Sequence, residues 1–315
     1  MDLDEYFNSH PEMRDSVTDD YIKSGFVTFV GRPNAGKSTL INTLVGEKIA
    51  ITSNTAQTTR HRFRGVVNRE SSQIVICDTP GIHKPKDCLG EELNISALEA
   101  IKDVDVICFL IDATKPFGSG DKWILDQIKC LKETKYLIVT KTDIASSKQV
   151  LEQIKAANDY CAFDETIPIS AINFDNCETL LDLIEDKLEP GPAWFSRDAT
   201  SDVSEEVMIA ELIREPILRT CRDEVPHSIG VQIENMDYNK KSNVEHIFAR
   251  IFVERDSQVG IIVGKSGIRL KQIGETARKD IEKFLKCKCN LQLTVKVKKD
   301  WRYDANAIRK FGYGD

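Results

Sequence analysis

The stretch Gly31-Arg-Pro-Asn-Ala-Gly-Lys-Ser-Thr39 decides the fold, and it directly follows the apolar run Phe26 to Val30. It matches the pattern G-x-x-x-x-G-K-[ST], which connects a buried strand to a helix. Glycines at the two fixed positions let backbone N–H groups converge on phosphate oxygens, and the helix N-terminus adds a positive dipole end. The alternative is a glycine-rich turn before an ordinary helix, but strand, loop and helix signals occur here in the required order. The pattern therefore predicts a phosphate-binding loop at the start of an α/β domain.

Two side chains of this loop have predicted chemical roles. Lys37 would reach the outer phosphates of a nucleotide, and the Ser38 hydroxyl would bind a Mg2+ ion that bridges those phosphates. Helical spacing over residues 37–45 predicts the helix that follows. The residues expected around the nucleotide phosphates are Gly31, Asn34, Ala35, Gly36, Lys37, Ser38 and Thr39.

Length and composition indicate a globular protein of about two domains. The chain has 315 residues, of which 30% are charged and 41% hydrophobic, and its net charge is −7. Charge is unevenly distributed, however. Residues 1–20 hold seven acids against one arginine, whereas residues 261–303 hold twelve Lys or Arg against four acids, a local charge of +8. The C-terminal part is therefore a candidate polyanion-binding region.

Targeting and redox signals favour a cytosolic protein. No apolar run approaches the roughly 18 residues of a membrane span, and the acidic N-terminus lacks the apolar region of a secretory signal. Residues 1–22 are expected to form a mobile acidic tail. The nine cysteines are interpreted as reduced thiols, and the pair Cys287 and Cys289 as packing residues rather than half of a metal site.

Segment 50–62 is polar and threonine-rich, too long for a minimal turn and without a core-forming pattern. Such a segment after a phosphate loop can bring a threonine hydroxyl to Mg2+ when the terminal phosphate is present. Thr58 and Thr59 both fit this role, and the sequence does not choose between them. The alternative is a threonine-rich loop with no ligand role.

Strands are predicted at 62–68 and 73–77, and the second ends in Asp78-Thr79-Pro80-Gly81. A carboxylate at the end of a buried strand can hold Mg2+ through water, and the N–H of Gly81 can contact the terminal phosphate. A plain strand-to-turn junction would use the same residue types. The phosphate loop upstream favours the functional interpretation.

Strands and helices continue to alternate, which predicts a mostly parallel sheet flanked by helices. The further strands are expected at 104–112, 136–139 and 167–169, and the helices near 94–102, at 121–131 and at 175–188.

The base-binding residues are predicted where two of these strands end. Thr140-Lys-Thr-Asp143 follows the strand at 136–139, and Asp143 would accept hydrogen bonds from guanine N–H groups while the Lys141 stem lies along the base. The backbone at Ser170 and Ala171 would donate to the guanine carbonyl. These residues predict selection of guanine.

A second domain follows a linker rich in proline and small polar residues, 190–204, so the first domain is expected at 23–189. The order α-β-β-α-α-β over 205–303 contains Gly264-Lys-Ser-Gly267 between two helices. Small residues there let the chain approach a single-stranded nucleic-acid backbone. A helix-turn-helix corner that needs glycine for geometry alone is the alternative. The predicted RNA contacts are Gly264, Lys265, Ser266, Gly267, Arg269 and Lys271, and residues 304–315 are expected to form a flexible tail.

Nearly the whole chain resembles the Era family. The resemblance rests on the phosphate loop, on Gln57-Thr-Thr-Arg-His-Arg62 and on Asp78-Thr-Pro-Gly81, and the second domain looks like a type II KH domain. It implies an α/β P-loop GTPase domain followed by an α+β KH domain. It also implies slow hydrolysis of GTP to GDP and phosphate, with Mg2+ held by Ser38, Thr59 and Asp78.

The resemblance further implies binding near the 3′ end of 16S ribosomal RNA and assistance to 30S subunit assembly, as a nucleotide-dependent switch. The expected location is the cytoplasm, with peripheral membrane association as an open expectation. The residues implied to act in catalysis are Lys37, Thr59, Gly81 and Asn34.

At two positions this chain departs from residues that are usual in related GTPases. Era-like proteins usually have Asn where this chain has Thr140, so an amide that braces the phosphate loop and contacts the base is expected to be lost. Ile82 stands where Ras-type proteins place the Gln that orients water. Asn34 is a candidate ligand for K+ that would offset charge in hydrolysis, and the alternative is that it only braces the loop.

Three alternative functions remain open at this stage. The first is a non-enzymatic RNA-binding scaffold with nucleotide as a structural ligand. The second, prompted by Thr140, is an ATPase or mixed NTPase. The third is a different ribosome-associated or tRNA-modifying GTPase, which the KH-like second domain disfavours.

Overall fold

A computed structural model describes residues 22–53, 55, 58–78, 87–99, 101, 104–221 and 224–313. The N-terminal segment expected as a mobile tail lies almost wholly outside these residues. So do Gln57, Ile82 and the predicted site residues Thr79, Pro80 and Gly81.

Residues 22–191 form a seven-stranded sheet with helices on its faces. Six strands lie in the order β2-β3-β1-β4-β5-β6, all parallel except β2, and β7 pairs antiparallel with the start of β1. The elements are β1 (Ile22–Gly31), α1 (Lys37–Val45), β2 (Phe63–Asn68), β3 (Ser72–Asp78), α2 (Cys88–Glu99), β4 (Val106–Asp112), α3 (Ser119–Ile128), β5 (Thr134–Thr140), α4 (Ser147–Asn158), β6 (Glu165–Pro168), α5 (Cys177–Glu185) and β7 (Pro190–Gly191).

The central strands of this sheet are largely apolar and buried on both faces, as expected for parallel strands covered by helices. All seven residues of β3 and all seven of β4 are buried. The chain order reverses at β1, which lies between β3 and β4. The carboxyl ends of the strands on both sides of a reversal open a crevice, and the predicted phosphate loop lies there.

The second unit is a three-stranded sheet covered on one face by helices. Its strand order is β10-β9-β8, with β10 parallel and β8 antiparallel to β9. Alternate residues of β9 and β10, such as Ile247 and Leu293, pack with the helices in one apolar core. The elements are α6 (Glu205–Thr220), β8 (Gly230–Asn239), β9 (Val244–Val253), α7 (Asp256–Val263), α8 (Ile268–Leu285), β10 (Lys288–Val297) and α9 (Ala305–Lys310).

Several sequence predictions need correction. Helix α2 begins at Cys88 and ends at Glu99, earlier than the predicted 94–102. No element was predicted for α4, although Ser146 caps it by accepting from the Gln149 N–H, a recognisable capping box.

The predicted flexible tail is also wrong for residues 304–313. Asp304 caps helix α9, accepting from the Asn306 N–H. Ile308, Phe311 and Tyr313 are buried with Trp301, whose indole Nε1 donates to the Ser228 carbonyl at 2.9 Å. The segment is polar enough to suggest a tail, but the rings of Phe311 and Tyr313 pack against the buried Trp301 indole.

The linker is fixed to the first domain near its two aromatic residues, Trp194 and Phe195. The Gln73 side chain accepts from the backbone N–H groups of Trp194 and Phe195, at 2.7 and 2.9 Å. The Trp194 ring packs on Phe26 with ring centroids 5.0 Å apart. None of the helices in the described part of the chain has the length and apolar character needed to span a bilayer.

Candidate functional site

The phosphate loop adopts the backbone geometry that its glycines require. A Cβ atom at Gly31 would lie 2.5 Å from the Leu110 carbonyl oxygen, so only glycine fits beside β4. Gly36 has a φ of 94°, in the left-handed region, and it directly precedes helix α1. Asn34 also has a positive φ, 66°. The loop therefore turns back over the helix N-terminus, where N–H groups face a bound anion.

Lys37 is held inside this loop. It is buried, and its Nζ donates to the carbonyls of Gly31 at 3.1 Å and Arg32 at 3.3 Å. Burial lowers the pKa of Lys37 to about 8, and the negative charge of Asp78 opposes that shift. A phosphate placed beside this ammonium would remove much of the cost of burying it.

Oxygen ligands suited to Mg2+ meet next to Lys37. The Ser38 and Thr59 hydroxyl oxygens lie 3.1 Å apart, and Asp78 is fully buried at the end of β3. Hard oxygen donors of this kind are what Mg2+ prefers. Thr58, in contrast, donates to the Thr55 carbonyl at 2.6 Å and so turns into its own segment. Between the two candidate threonines, the geometry favours Thr59.

The predicted base-binding residues come together at the ends of β5 and β6. The Ser170 hydroxyl donates to the Asp143 carboxylate at 2.9 Å, which fixes the carboxylate orientation. Lys141 has a φ of 61°, and its Nζ lies 2.7 Å from Asp112 at the end of β4. Ala171 accepts at its carbonyl from the Thr43 hydroxyl of α1 at 3.0 Å, which ties the base end to the phosphate end.

Thr140 braces the phosphate loop. The sequence had predicted that this brace would be lost together with the asparagine amide. Its Oγ1 lies 2.7 Å from the Ala35 carbonyl and 3.0 Å from the Ile111 carbonyl, and the side chain is buried. A hydroxyl has a single hydrogen to share between these acceptors. The bracing part of the role is therefore kept, and only an amide contact to the base is unavailable.

The phosphate loop and Lys141, one of the predicted base-binding residues, line one cavity of about 490 Å³. In the segment after α1, the described residues Thr52, Ser53, Thr55, Thr58 and Thr59 also line this cavity. Leu218 and Arg219 of helix α6 also line it, so the second domain contributes to the same cavity. A volume of this size falls within the range of small-ligand sites.

The segment after α1 is bound to the second domain by buried charges. Arg60 is almost fully buried and donates to the carbonyls of Ile229 and His227. Its guanidinium lies 5.7 Å from the Trp301 ring centre, within cation–π range. Arg214 of α6 donates to the Thr58 carbonyl.

A buried ion pair stands at the centre of this contact. The Arg214 Nε donates to the Glu211 carboxylate at 2.9 Å. Burial alone would raise the pKa of Glu211, but the charges of Arg214 and its neighbours His61 and Arg60 outweigh it and lower the pKa.

Sequence reasoning missed Arg60, Glu211, Arg214 and Arg219 as site-related residues. The sequence held only weak signals for these residues. Arg60 belongs to the stretch 57–62 that carries the family resemblance. The charged residues of α6 interrupt the apolar face of that helix. Their importance depends on contacts across the domain boundary.

The glycine loop of the second domain is exposed between α7 and α8. Gly264 has a φ of 70°, and a Cβ there would lie 2.8 Å from the Arg269 Cβ. Lys265 and Ser266 are exposed at the tip. Of the other predicted contacts, Arg269 is half-buried and donates to the Ile261 carbonyl at 2.6 Å, which ties α8 to α7.

Lys271 lies on the exposed face of α8, one turn from Glu275, with 3.9 Å between Nζ and the carboxylate. In the described residues no group of three or more His, Cys, Asp or Glu could hold a metal ion.

A phosphate loop beside the predicted guanine-binding residues, joined to a KH-like fold, defines a two-domain P-loop GTPase with an RNA-binding module. Comparison with known proteins agrees with this class. Residues 26–142 match the family described as 50S ribosome-binding GTPase, and residues 224–302 match the KH domain family. GTPase Era of Clostridioides difficile (strain 630) is 47% identical over 294 residues, which cover 93% of this chain and 99% of that protein.

The chain belongs to the Era family of GTPases. Two solved Era structures share its fold with a TM-score of 0.89 at 38% identity, covering 93% of this chain and 99% of each of theirs. One is a variant of Aquifex aeolicus Era bound to GDP and AlF4−, and the other is Era with MgGDPNP and nucleotides 1506–1542 of 16S ribosomal RNA. Membership favours GTP hydrolysis over the ATPase and the non-enzymatic scaffold.

Proposed function

We propose that this GTPase binds 16S ribosomal RNA near its 3′ end through its second domain and assists assembly of the 30S subunit. The observation that carries the proposal is the exposed loop Gly264 to Gly267, set between two helices in a region of local charge +8. A related Era has been solved with that RNA segment. Backbone approach at the glycines and a lysine at the tip suit a single-stranded polyanion.

The nucleotide roles of individual residues are part of the same proposal. Lys37 and the loop N–H groups hold the outer phosphates, while Asp143, Lys141 and the backbone at Ala171 hold guanine. Ser38, Thr59 and Asp78 would hold Mg2+, which supplies charge neutralisation to the phosphates during transfer to water. Thr79, Pro80 and Gly81 stay predicted contacts outside the described residues.

In this proposal, the presence or absence of the terminal phosphate affects the second domain through the segment that follows α1. Thr59 lies beside Ser38 at the proposed Mg2+ site, and the adjacent carbonyl of Thr58 accepts from Arg214 of α6. Ordering of Thr59 by the terminal phosphate therefore acts directly on a contact of the second domain. This supports a switch in which hydrolysis alters the docking of the domain that holds RNA.

Several expectations from the sequence stay proposals. They are the division into domains at 23–189 and 205–303, K+ binding at Asn34, a cytoplasmic location and peripheral membrane association. For K+, single-turnover hydrolysis that is unchanged when Na+ replaces K+ would contradict the role of Asn34.

The RNA proposal is tested with an oligonucleotide that carries the 3′ end of 16S RNA. Lys265→Gln should weaken binding about fivefold and lower the salt dependence by about one phosphate contact. The matched control is Lys279→Gln, which removes an exposed charge farther along α8. Equal losses in both variants would reject the loop as the RNA site, and equal binding of a scrambled oligonucleotide would reject the 16S assignment.

A further inference from the structure

Three positive side chains line the cavity of the nucleotide site: Lys37, Lys141 and Arg219. Lys37 is enclosed by carbonyls of the phosphate loop, and Lys141 is paired with Asp112 at the base end. Arg219 differs from both because it belongs to helix α6 of the second domain. Its side chain is 51% exposed, so the guanidinium is accessible from the cavity.

Arg219 is held in place by a buried carboxylate. Its Nη2 lies 2.7 Å from Glu215 Oε1, and the Glu215 side chain is only 1% exposed. Glu215 is itself fixed to the first domain: Lys48 lies 2.6 Å from its Oε2, and the Thr52 N–H donates to its Oε1 at 2.9 Å. The guanidinium therefore has a fixed position at the cavity that the phosphate loop also lines.

The remaining contacts of this guanidinium are long. Nε and Nη2 each lie 3.4 Å from the Thr52 carbonyl, and Nη2 lies 3.2 Å from the Thr52 hydroxyl. Bonds of this length to neutral acceptors are weak. A phosphate oxygen is a stronger acceptor for a guanidinium, whose planar fork matches two phosphate oxygens at once.

We propose that Arg219 donates hydrogen bonds to the phosphates of GTP and GDP bound in this cavity, so that the second domain supplies one group of the nucleotide site. The charge then stabilises bound nucleotide only while α6 is docked on the segment after α1. By reciprocity, bound nucleotide stabilises that docking.

Lys48 provides a matched control. Its Nζ contacts Glu215 and Asp280 of the second domain at 2.6 and 3.3 Å, whereas Arg219 pairs with Glu215 within α6, and Lys48 is not among the cavity-lining residues. Removing either charge leaves Glu215 with one partner fewer. Only the loss of Arg219 removes a phosphate donor.

The experiment measures dissociation constants of the full-length protein for GTP and GDP by fluorescence titration with labelled nucleotides. Arg219→Gln should weaken both about tenfold, as expected for one charge-assisted hydrogen bond. Arg219→Lys should recover part of this loss because it restores the charge. Lys48→Gln should change either constant less than twofold.

Thermal unfolding of the nucleotide-free variants verifies that each is folded before titration. If Lys48→Gln lost as much nucleotide affinity as Arg219→Gln, the proposal would be overturned, because both losses would then come from the domain contact alone. An unchanged affinity in Arg219→Gln would overturn it as well. Neither outcome depends on whether the protein binds RNA.

Discussion

The Thr140 hydroxyl lies 2.7 Å from the carbonyl oxygen of Ala35, and this contact links the end of β5 to the middle of the phosphate loop. Most Era-like proteins are expected to make this link with an asparagine amide. In this protein the shorter, buried side chain of Thr140 makes the contact to the loop, because β5 lies close to the loop. The phosphate loop thus keeps its support although the motif departs from the family pattern.

Replacing this hydroxyl should weaken nucleotide binding. Thr140→Val keeps the shape but leaves the Ala35 carbonyl without this donor, so we expect the dissociation constant for GDP to rise about tenfold. Titration with labelled GDP measures it. Thr28→Val is the control, since it removes another buried hydroxyl, 3.4 Å from the Cys77 carbonyl inside the sheet. An affinity unchanged in Thr140→Val would show that the loop does not depend on this brace.

Nucleotide binding should take up protons near pH 8. Burial lowers the pKa of Lys37 to about 8, so about half of the free protein carries a neutral amine at that pH. Phosphates beside Nζ stabilise the charged form and raise the pKa, and binding then transfers roughly half a proton from buffer to protein.

Calorimetry of GDP binding in two buffers with different ionisation enthalpies measures this uptake. At pH 6 Lys37 is protonated in both states, so the uptake assigned to it should vanish there. Equal apparent enthalpies in the two buffers at pH 8 would contradict the shifted pKa.

Breaking the buried ion pair at the domain contact should be costly. Arg214→Met leaves the Glu211 carboxylate buried with less compensation, and we expect about 3–5 kcal/mol lower free energy of unfolding. Urea unfolding measures it. In the double variant Arg214→Met, Glu211→Leu neither member of the pair is left without the other, and part of the stability should return. Lys148→Ala is the control, because that side chain is 86% exposed and its pairing with Glu152 spans 3.9 Å.

The C-terminal turn should contribute strongly to stability. Phe311 is buried and packs edge-on against Trp301 with ring centroids 5.0 Å apart. Phe311→Ala should therefore destabilise the protein by about 3–5 kcal/mol. Tyr303→Ala removes an exposed aromatic of the same region and should change stability by less than about 0.5 kcal/mol. Similar melting temperatures for the two variants would mean that the last residues are not part of the folded core.

Local sequence predicted most elements of the first domain because their signals are local. The apolar runs of the parallel strands, the glycines of the phosphate loop and the helical spacing after Lys37 each follow from properties of neighbouring residues. Helix α4 was not predicted because only a few of its positions are apolar and buried. Its clearest sequence signal is the N-terminal cap at Ser146. The segment 304–313 was predicted to be a tail because its few apolar residues are buried in a cluster with Leu89 and Leu93 of α2, which lie more than 200 positions away in the chain.

The sequence by itself carried the signals for the chemistry of this protein: a phosphate loop, an aspartate predicted to bind guanine and a glycine loop predicted to bind nucleic acid, each defined by residues close together in the chain. Only the tertiary structure decided which threonine meets Ser38, that Thr140 still braces the loop, and that Arg219 of the second domain stands at the nucleotide cavity. These relations join residues from 21 to about 180 positions apart. No local pattern encodes them, because they arise only when packing brings β5 and α6 against the crevice at the end of β1.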